Sequence, residues 1–421
     1  MVEEQDLKQW RDAGHVARRT LEGIKGEIVE GKEWSEVIDS AERFIRRHGG
    51  KAAFPVTISV NEMAAHYTSN TELTPPEGFE GEMIFQKGDL VKLDVGVHIK
   101  GALGDNALTI EVGNGGEHTE QIRAAKEARD AAIEKMHPGT PWHVVGEAAQ
   151  QASIDAGFEP IRNLSGHKME RWNLHSGVSI PMFACGPNNP GYKGVVEEGG
   201  VYAIEPFNTT GKSGMIENVP PSDSSNILRV TGDVKIRKAL SKGKLKPLGA
   251  TMARYIEERY NTLPFAERWA FPLLSKPFPE EDEESLRRKW RALIKKLTSI
   301  RFLEVYSALR DVDKGVVGQF EHTVYVTEGG PEILTVEYID IFFGILSKFL
   351  PFLTTINYCL LPDLTVQDER FSLSASHPLA FISLLYTFWL ISGLLSVGME
   401  STISDRYYLP RFEIPQTKLQ R

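Results

Sequence analysis

The stretch LDVGVHIKGALGDNALTIEV, residues 93–112, allows this chain very few local structures. Apolar residues alternate on both sides of Lys100-Gly101, as expected of two strands joined by a two-residue turn in which Gly supplies a positive φ. That turn pairs residue 94 with 107. Asp105 then stands two places from the position opposite Asp94, on the same face of the hairpin. A one-residue shift would put the two acids on opposite faces. Two close carboxylates repel, and burying them costs several kcal/mol without a compensating cation. The stretch is therefore either a pair of solvated strand aspartates or half of a metal site.

The remaining chain narrows the choice. With 421 residues it exceeds one small core, and 41% hydrophobic with 25% charged residues is typical of a soluble globular chain. A net charge of −9 argues against general nucleic-acid binding. Two cysteines, Cys185 and Cys359, exclude a disulfide framework and a CxxC zinc site and fit a reducing cytoplasm. The polar opening MVEEQDLKQW is no signal peptide.

Periodicity predicts two helices, then strands, then two helices and strands again. Residues 5–29 carry Trp10, Ala13, Ala17, Leu21, Ile24 and Ile28 at helical spacing. A second helix begins with Ser35 as its cap and ends at His48-Gly49-Gly50. FPVTISV, MIFQ, LVKLDVGVHI and ALTIEV read as strands. Helices follow from Thr119 to about Met136 and from Pro141 to about Ala156. VSIPMF, VYAIEPF and GQFEHTVYVTE are further strands. KGDLVKLD (87–94) and EGGVYAIE (198–205) share a Gly, a strand and a terminal acid at one spacing. That echo fits a pseudo-symmetric α/β sheet with one acid from each half at a shared centre. The charged run RRKWRALIKK reads as a solvated helix face or a nucleic-acid patch, with acidic EEDEE beside it.

A pair of divalent metals needs about five carboxylate or imidazole ligands. Beyond Asp94 and Asp105, Glu205 ends an apolar strand and Glu321 enters one. His167 is expected in a Gly-containing loop, with His175 eight residues on. Taken singly, each of these fits an ordinary structural role.

The blocks LDVGVHIKGALGDNA, NLSGHKMERWNLHSGVSIP, YAIEPF and GQFEHT closely resemble the metal-site motifs of the methionine aminopeptidases. AAFPVTISVNEMAAHYT resembles the segment carrying that family's extra active-site histidine, and the insertion with YNTLPFAERW resembles the type 2, archaeal and eukaryotic, members. The resemblance covers roughly residues 5–336. It implies the pita-bread fold, two pseudo-symmetric α/β halves with a helical insertion over about 229–312. It further implies a metal set of Asp94, Asp105, His167, Glu205 and Glu321 around two divalent ions (cobalt, manganese, iron or zinc). His66 and His175 are then catalytic or substrate-contacting, and Glu205 also carries a proton. Phe54 and Leu263-Pro264-Phe265 are candidate walls of a methionine pocket. The implied reaction removes the N-terminal methionine of nascent polypeptides with a small second residue, in the cytoplasm, by a monomer, with the ribosome as a further candidate partner. Lys100, where archaeal members often carry an acid, and Asn106, where Thr is usual, depart from the pattern.

Two alternatives stay open: a proline-specific aminopeptidase or dipeptidase on the same fold, and a metal-free binding module. Residues 337–421 do not resemble the family. Stretches 341–361 and 378–399 are apolar, the second without a charge over twenty-two residues. The tail reads as a membrane hairpin or as a spurious extension, so membrane contact is expected only through residues 338–399.

Overall fold

The computed structural model describes residues 4–69, 83–113, 115–220, 226–231, 247–274 and 278–336. The expectations for the apolar tail lie outside the described residues. Among those described, no helix is long and apolar enough to cross a membrane.

The sequence of elements repeats. Helices Glu4–Ile24 and Trp34–Arg47 precede a four-stranded sheet, and helices Thr119–Glu134 and Trp142–Asp155 precede a five-stranded one. In the first sheet Leu90–Ile99 is central, paired with Ala102–Glu111 on one side and with Thr57–Val60 and Lys51–Ala52 on the other. In the second, the order is Gly330–Ile333, His322–Thr327, Val201–Ile204, Ser165–Met169, Ser179–Pro181. Each sheet buries one face against its own helices. Leu21, Ile38, Ile45, Leu93 and Val97 meet in the first core. Ile133, Trp142, Val145, Ile204 and Val324 meet in the second.

The hairpin has the expected register, with Asp94 opposite Ala107 and Ile99 opposite Ala102. Lys100 and Gly101 both have positive φ, 51° and 89°. Two such residues are what a type I′ turn requires, and its twist matches that of the strands. Gly101 is also pressed by a neighbour: a Cβ there would lie 2.4 Å from the Trp172 ring.

Several local expectations need correction. The first helix stops at Ile24 and continues only as a short 3-10 turn, Lys25–Glu27. The second helix is preceded by Glu33 at the capping position, and Ser35 instead donates to the Glu33 carboxylate at 2.9 Å. MIFQ is not a strand; Ile84 makes one isolated bridge to Glu33. His167 lies within the strand Ser165–Met169 and not in a loop.

The run VYAIEPF divides into Val201–Ile204 and Phe207–Thr209, and GQFEHTVYVTE into Val317–Gln319 and His322–Thr327. The apolar alternation continues across each break, so the pattern alone predicts one strand in each run. The first pieces of both runs belong to different sheets from the second pieces. Val201–Ile204 pairs with His322–Thr327, whereas Phe207–Thr209 pairs with Val317–Gln319.

Part of the 229–312 stretch has its own core. Ile227–Val230, Phe265–Ala266 and Leu303–Val305 form a small sheet beside helices Pro247–Tyr260 and Glu283–Ser299. Trp290, Leu286, Ile294 and Leu297 bury one face of the latter helix. Arg287 and Arg288 pair with Glu283 and Glu284 one turn back on the other face. The RRKWRALIKK run is therefore an amphipathic helix.

Gly101→Ala should destabilise the protein by about 2–4 kcal/mol, since it adds left-handed strain to a clash with a ring. Urea unfolding measures this; an unchanged midpoint would mean that Trp172 does not brace the turn.

Candidate metal centre

The two strand breaks deliver acids to one place. Glu205-Pro206 and Phe320-Glu321 lie where the two paired strands pass from one sheet to the next. Released from the ladder, each Glu projects at the junction, and the Glu321 N–H is bonded across to the Ala107 carbonyl at 3.0 Å. Ala107 is the residue opposite Asp94. The junction thus abuts the carboxylate face of the hairpin. His167 enters from the adjacent strand, paired with Ala203 two residues before Glu205.

Asp94, Asp105, His167, Glu205 and Glu321 all line one cavity of about 210 Å³. His167 Nε2 lies 3.3 Å from Glu205 Oε1 and 3.7 Å from Asp105 Oδ2. Asp105, His167 and Glu321 each offer a donor atom within 4.8 Å of the other two. Asp105, His167 and Glu321 are buried; Asp94 and Glu205 are partly so. Asn106, the departure from the family pattern, is buried on the opposite face of its strand, across from Val95.

This crowding is electrostatically unfavourable without a cation. Burial, then the charges of Asp105 and Glu205, push Asp94 well above the usual carboxylate range. Burial, with the charges of Asp105, Glu205 and Asp94, does the same to Glu321. Burial pushes Asp105 up to about 7 against the pull of His167. For His167, burial opposes the imidazolium, but the bond to Glu205 and the charges of Glu205 and Asp105 prevail and raise it. Asp94 Oδ1, Asp105 Oδ1 and Glu321 Oε1 are buried and accept no hydrogen bond from any described residue. Buried carboxylate oxygens left without donors match the demand of a hard divalent cation for oxygen ligands.

A second tier of residues surrounds the acids. His66 follows the strand Met63–Ala65 with φ of 68°, and its Nδ1 is 3.2 Å from the Ser307 carbonyl. Burial lowers its pKa to about 4, so it is neutral at physiological pH. The His175 ring lies 4.2 Å from that of His167, and its Nδ1 is 3.3 Å from the Tyr306 hydroxyl. Burial, then His167, His66 and Arg229, hold His175 well below the usual value. The Arg229 guanidinium lies over the Tyr306 ring at 5.5 Å. The apolar wall includes Phe54, Leu164, Leu174, Phe207, Ile227 and Pro264. Of the expected Leu263-Pro264-Phe265 run, Pro264 lines the cavity and Leu263 packs in the cluster with Phe54. Phe265 does not: it is stacked on Tyr260 in the core of the small sheet. Tyr306 and Gln319 also line the cavity and escaped sequence reading. Tyr306 comes just after a short strand with no motif to mark it.

The profile of metallopeptidase family M24 matches residues 8–263. The chain is 38% identical over 323 residues to the methionine aminopeptidase of Thermococcus onnurineus, an alignment covering 77% of this chain and 97% of that one. It is 35% identical over 334 residues to the enzyme of Methanothermobacter thermautotrophicus, covering 78% and 98%. Among solved structures, the methionine aminopeptidase of Thermotoga maritima superposes with a TM-score of 0.52 at 22% identity, covering 80% of this chain and 99% of that one. A thermophilic Arx1 gives 0.64 at 15% identity, covering 79% and 91%. At these identities the two structures speak for the pita-bread fold.

The raised Asp105 gives a signed expectation for chelated protein. Its folded value of about 7 exceeds the ordinary 3.8, so the folded state holds this proton more tightly than the unfolded state. Its contribution to stability is therefore lost as pH rises between these values. In chelator, Asp105→Asn should match wild type near pH 4 and exceed it above pH 7 by up to about 4 kcal/mol. Excess Mn²⁺ should reverse that order. Thermal melts across pH test this, and a difference independent of pH would count against a strained carboxylate. With its profile match, its nearly end-to-end relatives and its cavity of acids, the chain belongs to metallopeptidase family M24, among the methionine aminopeptidases.

Proposed function

We propose that this cavity holds two divalent cations and that residues 1–336 use them to release the N-terminal methionine of polypeptides with a small second residue. One observation carries the reading: four carboxylates and one imidazole line a single cavity, with buried oxygens that accept no hydrogen bond from described residues. Four carboxylates carry four negative charges when ionised, which two divalent ions balance. Asp94, Asp105, His167, Glu205 and Glu321 are the proposed ligands. The hard, oxygen-rich set suits manganese, iron, cobalt or zinc over softer ions.

Cations in this position supply Lewis-acid polarisation of a carbonyl and activation of a water. The chain supplies everything else. Glu205 is the carboxylate we assign to accept a proton and pass it to the leaving amine. Its side chain is 16% exposed at the cavity wall, whereas that of Asp105 is 4% exposed. The two histidines face different hydrogen-bond partners. The Ser307 carbonyl can only accept, so His66 carries its proton on Nδ1 and leaves Nε2 as an acceptor for a substrate N–H. Tyr306 is held as a phenol because burial pushes its pKa up to about 12, and its hydroxyl, which can donate or accept, is assigned as the donor to His175 Nδ1. His175 then carries its proton on Nε2 and donates to the developing oxyanion. Phe54, Leu174 and Phe207 form an apolar wall for the methionine side chain.

Free methionine should be released from Met-Ala-Ser by the full chain with Mn²⁺ or Co²⁺, and chelator or Asp105→Ala should abolish release. Release of proline-containing products from Ala-Pro substrates instead would favour the proline-specific alternative. No release from folded, metal-loaded protein would favour a binding module. His175→Ala should lower kcat by about 10²–10³ and Tyr306→Phe by about tenfold, the loss of one hydrogen bond, with metal affinity kept in both.

A further inference from the structure

Two threonine hydroxyls replace backbone pairing along the line where the two halves meet. Ala102–Glu111, from the first sheet, runs beside Val317–Gln319 and His322–Thr327, yet its ladder partner is Leu90–Ile99 on its other edge. Across the line, Thr323 Oγ1 accepts from the Asp105 N–H at 2.7 Å and donates to the Asp105 carbonyl at 2.8 Å. Four residues away, Thr109 Oγ1 accepts from the Gln319 N–H at 2.8 Å and donates to the Gln319 carbonyl at 2.5 Å. Between them lies the bond from the Glu321 N–H to the Ala107 carbonyl. The pairs 105 with 323, 107 with 321 and 109 with 319 keep one antiparallel register. They are related by a local two-fold that exchanges Asp105 with Gln319 and Thr109 with Thr323.

In an ordinary hydrogen-bonded pair each residue gives an N–H and takes one through its carbonyl. Here one side-chain hydroxyl does both jobs for the facing residue, using its donor and a lone pair. All five residues named in these contacts with acids, amide or hydroxyl groups (Asp105, Thr109, Gln319, Glu321 and Thr323) are buried. A side chain inserted between backbones holds the strands further apart than the usual spacing of about 4.8 Å. The two clamps have the same chemistry but different loads. Thr109 grips Gln319, an amide at the cavity wall, and Thr323 grips Asp105, a proposed ligand. Thr323 is itself held from behind, its N–H donating to Thr335 Oγ1 at 3.1 Å.

We infer that Thr323 is a positioning residue for metal binding, setting the backbone of Asp105 against that of Glu321, and that Thr109 is its purely structural counterpart. The inference rests on the metal-site reading above. It makes the pseudo-symmetry an internal control, because Thr→Val deletes the same two hydrogen bonds at either end of one line.

Mn²⁺ affinity of the full chain, measured calorimetrically on chelator-stripped protein, tests it alongside thermal melts of the same metal-free samples. Thr323→Val should raise the Kd by about tenfold to a hundredfold, as loss of a ligand's supporting bond typically does. Thr109→Val should lose similar thermal stability but stay within about threefold of wild type in Kd. Thr323→Ser, which keeps the hydroxyl, should restore affinity, and the visible spectrum of bound Co²⁺ should change for Thr323→Val alone. If Thr323→Val does not fold, Thr323→Ala carries the same expectation. Wild-type affinity in the valine variant, or an equal loss in Thr109→Val, would overturn the inference. Wild-type protein that binds no metal and releases no methionine would instead overturn the functional reading itself.

Discussion

Like charge forced into one buried space is the constraint on which this structure depends. Three carboxylates are pushed above their ordinary range by burial and by the charge of acids around them. A fold built only for stability would replace them with apolar groups of the same volume. The strain is local, however. Around it stand two sheets, each packed on its own pair of helices through cores of Leu, Ile, Val and Trp. Those cores let the chain tolerate an unfavourable centre, and the unfavourable centre is what gives a cation a place to bind.

The same arrangement explains why acids come from strand breaks. A carboxylate in the middle of a ladder alternates strictly to one face. At Glu205-Pro206 and at Phe320-Glu321 the chain leaves one sheet and joins another, so the side chain is freed from that alternation. Proline following Glu205 has no N–H to lose at such a junction. Asp94 and Asp105 reach the centre by the opposite means, as diagonal neighbours on a regular hairpin face. Regular pairing supplies one side of the site and interrupted pairing supplies the other.

The histidines show how a neutral environment is given direction. Burial removes their charge, and what remains is the choice of which nitrogen holds the proton. A carbonyl beside His66 makes that choice, whereas the phenol beside His175 can pair with either tautomer. The adjacent residues Tyr306 and Ser307 provide both partners. The chain leading out of the small sheet at Leu303–Val305 is thus part of the site as well as of the fold.

Much of this was legible in the sequence. Alternation around Lys100-Gly101 determined the hairpin, its register and the shared face of Asp94 and Asp105, because a two-residue turn permits one pairing and side chains repeat with period two. Helical spacing likewise determined four helices to within a few residues, and the quoted motifs singled out every acid and histidine found at the cavity. Other features were decided only in three dimensions. That VYAIEPF and GQFEHTVYVTE each serve two sheets depends on partners more than a hundred residues away in the chain. The placement of His167 in a strand, the role of Tyr306 and the exclusion of Phe265 from the cavity depend on packing across elements. So do the hydroxyl clamps of Thr109 and Thr323. Local pattern reports what a segment can pair with; which groups actually meet is set by long-range contacts that no window of sequence contains.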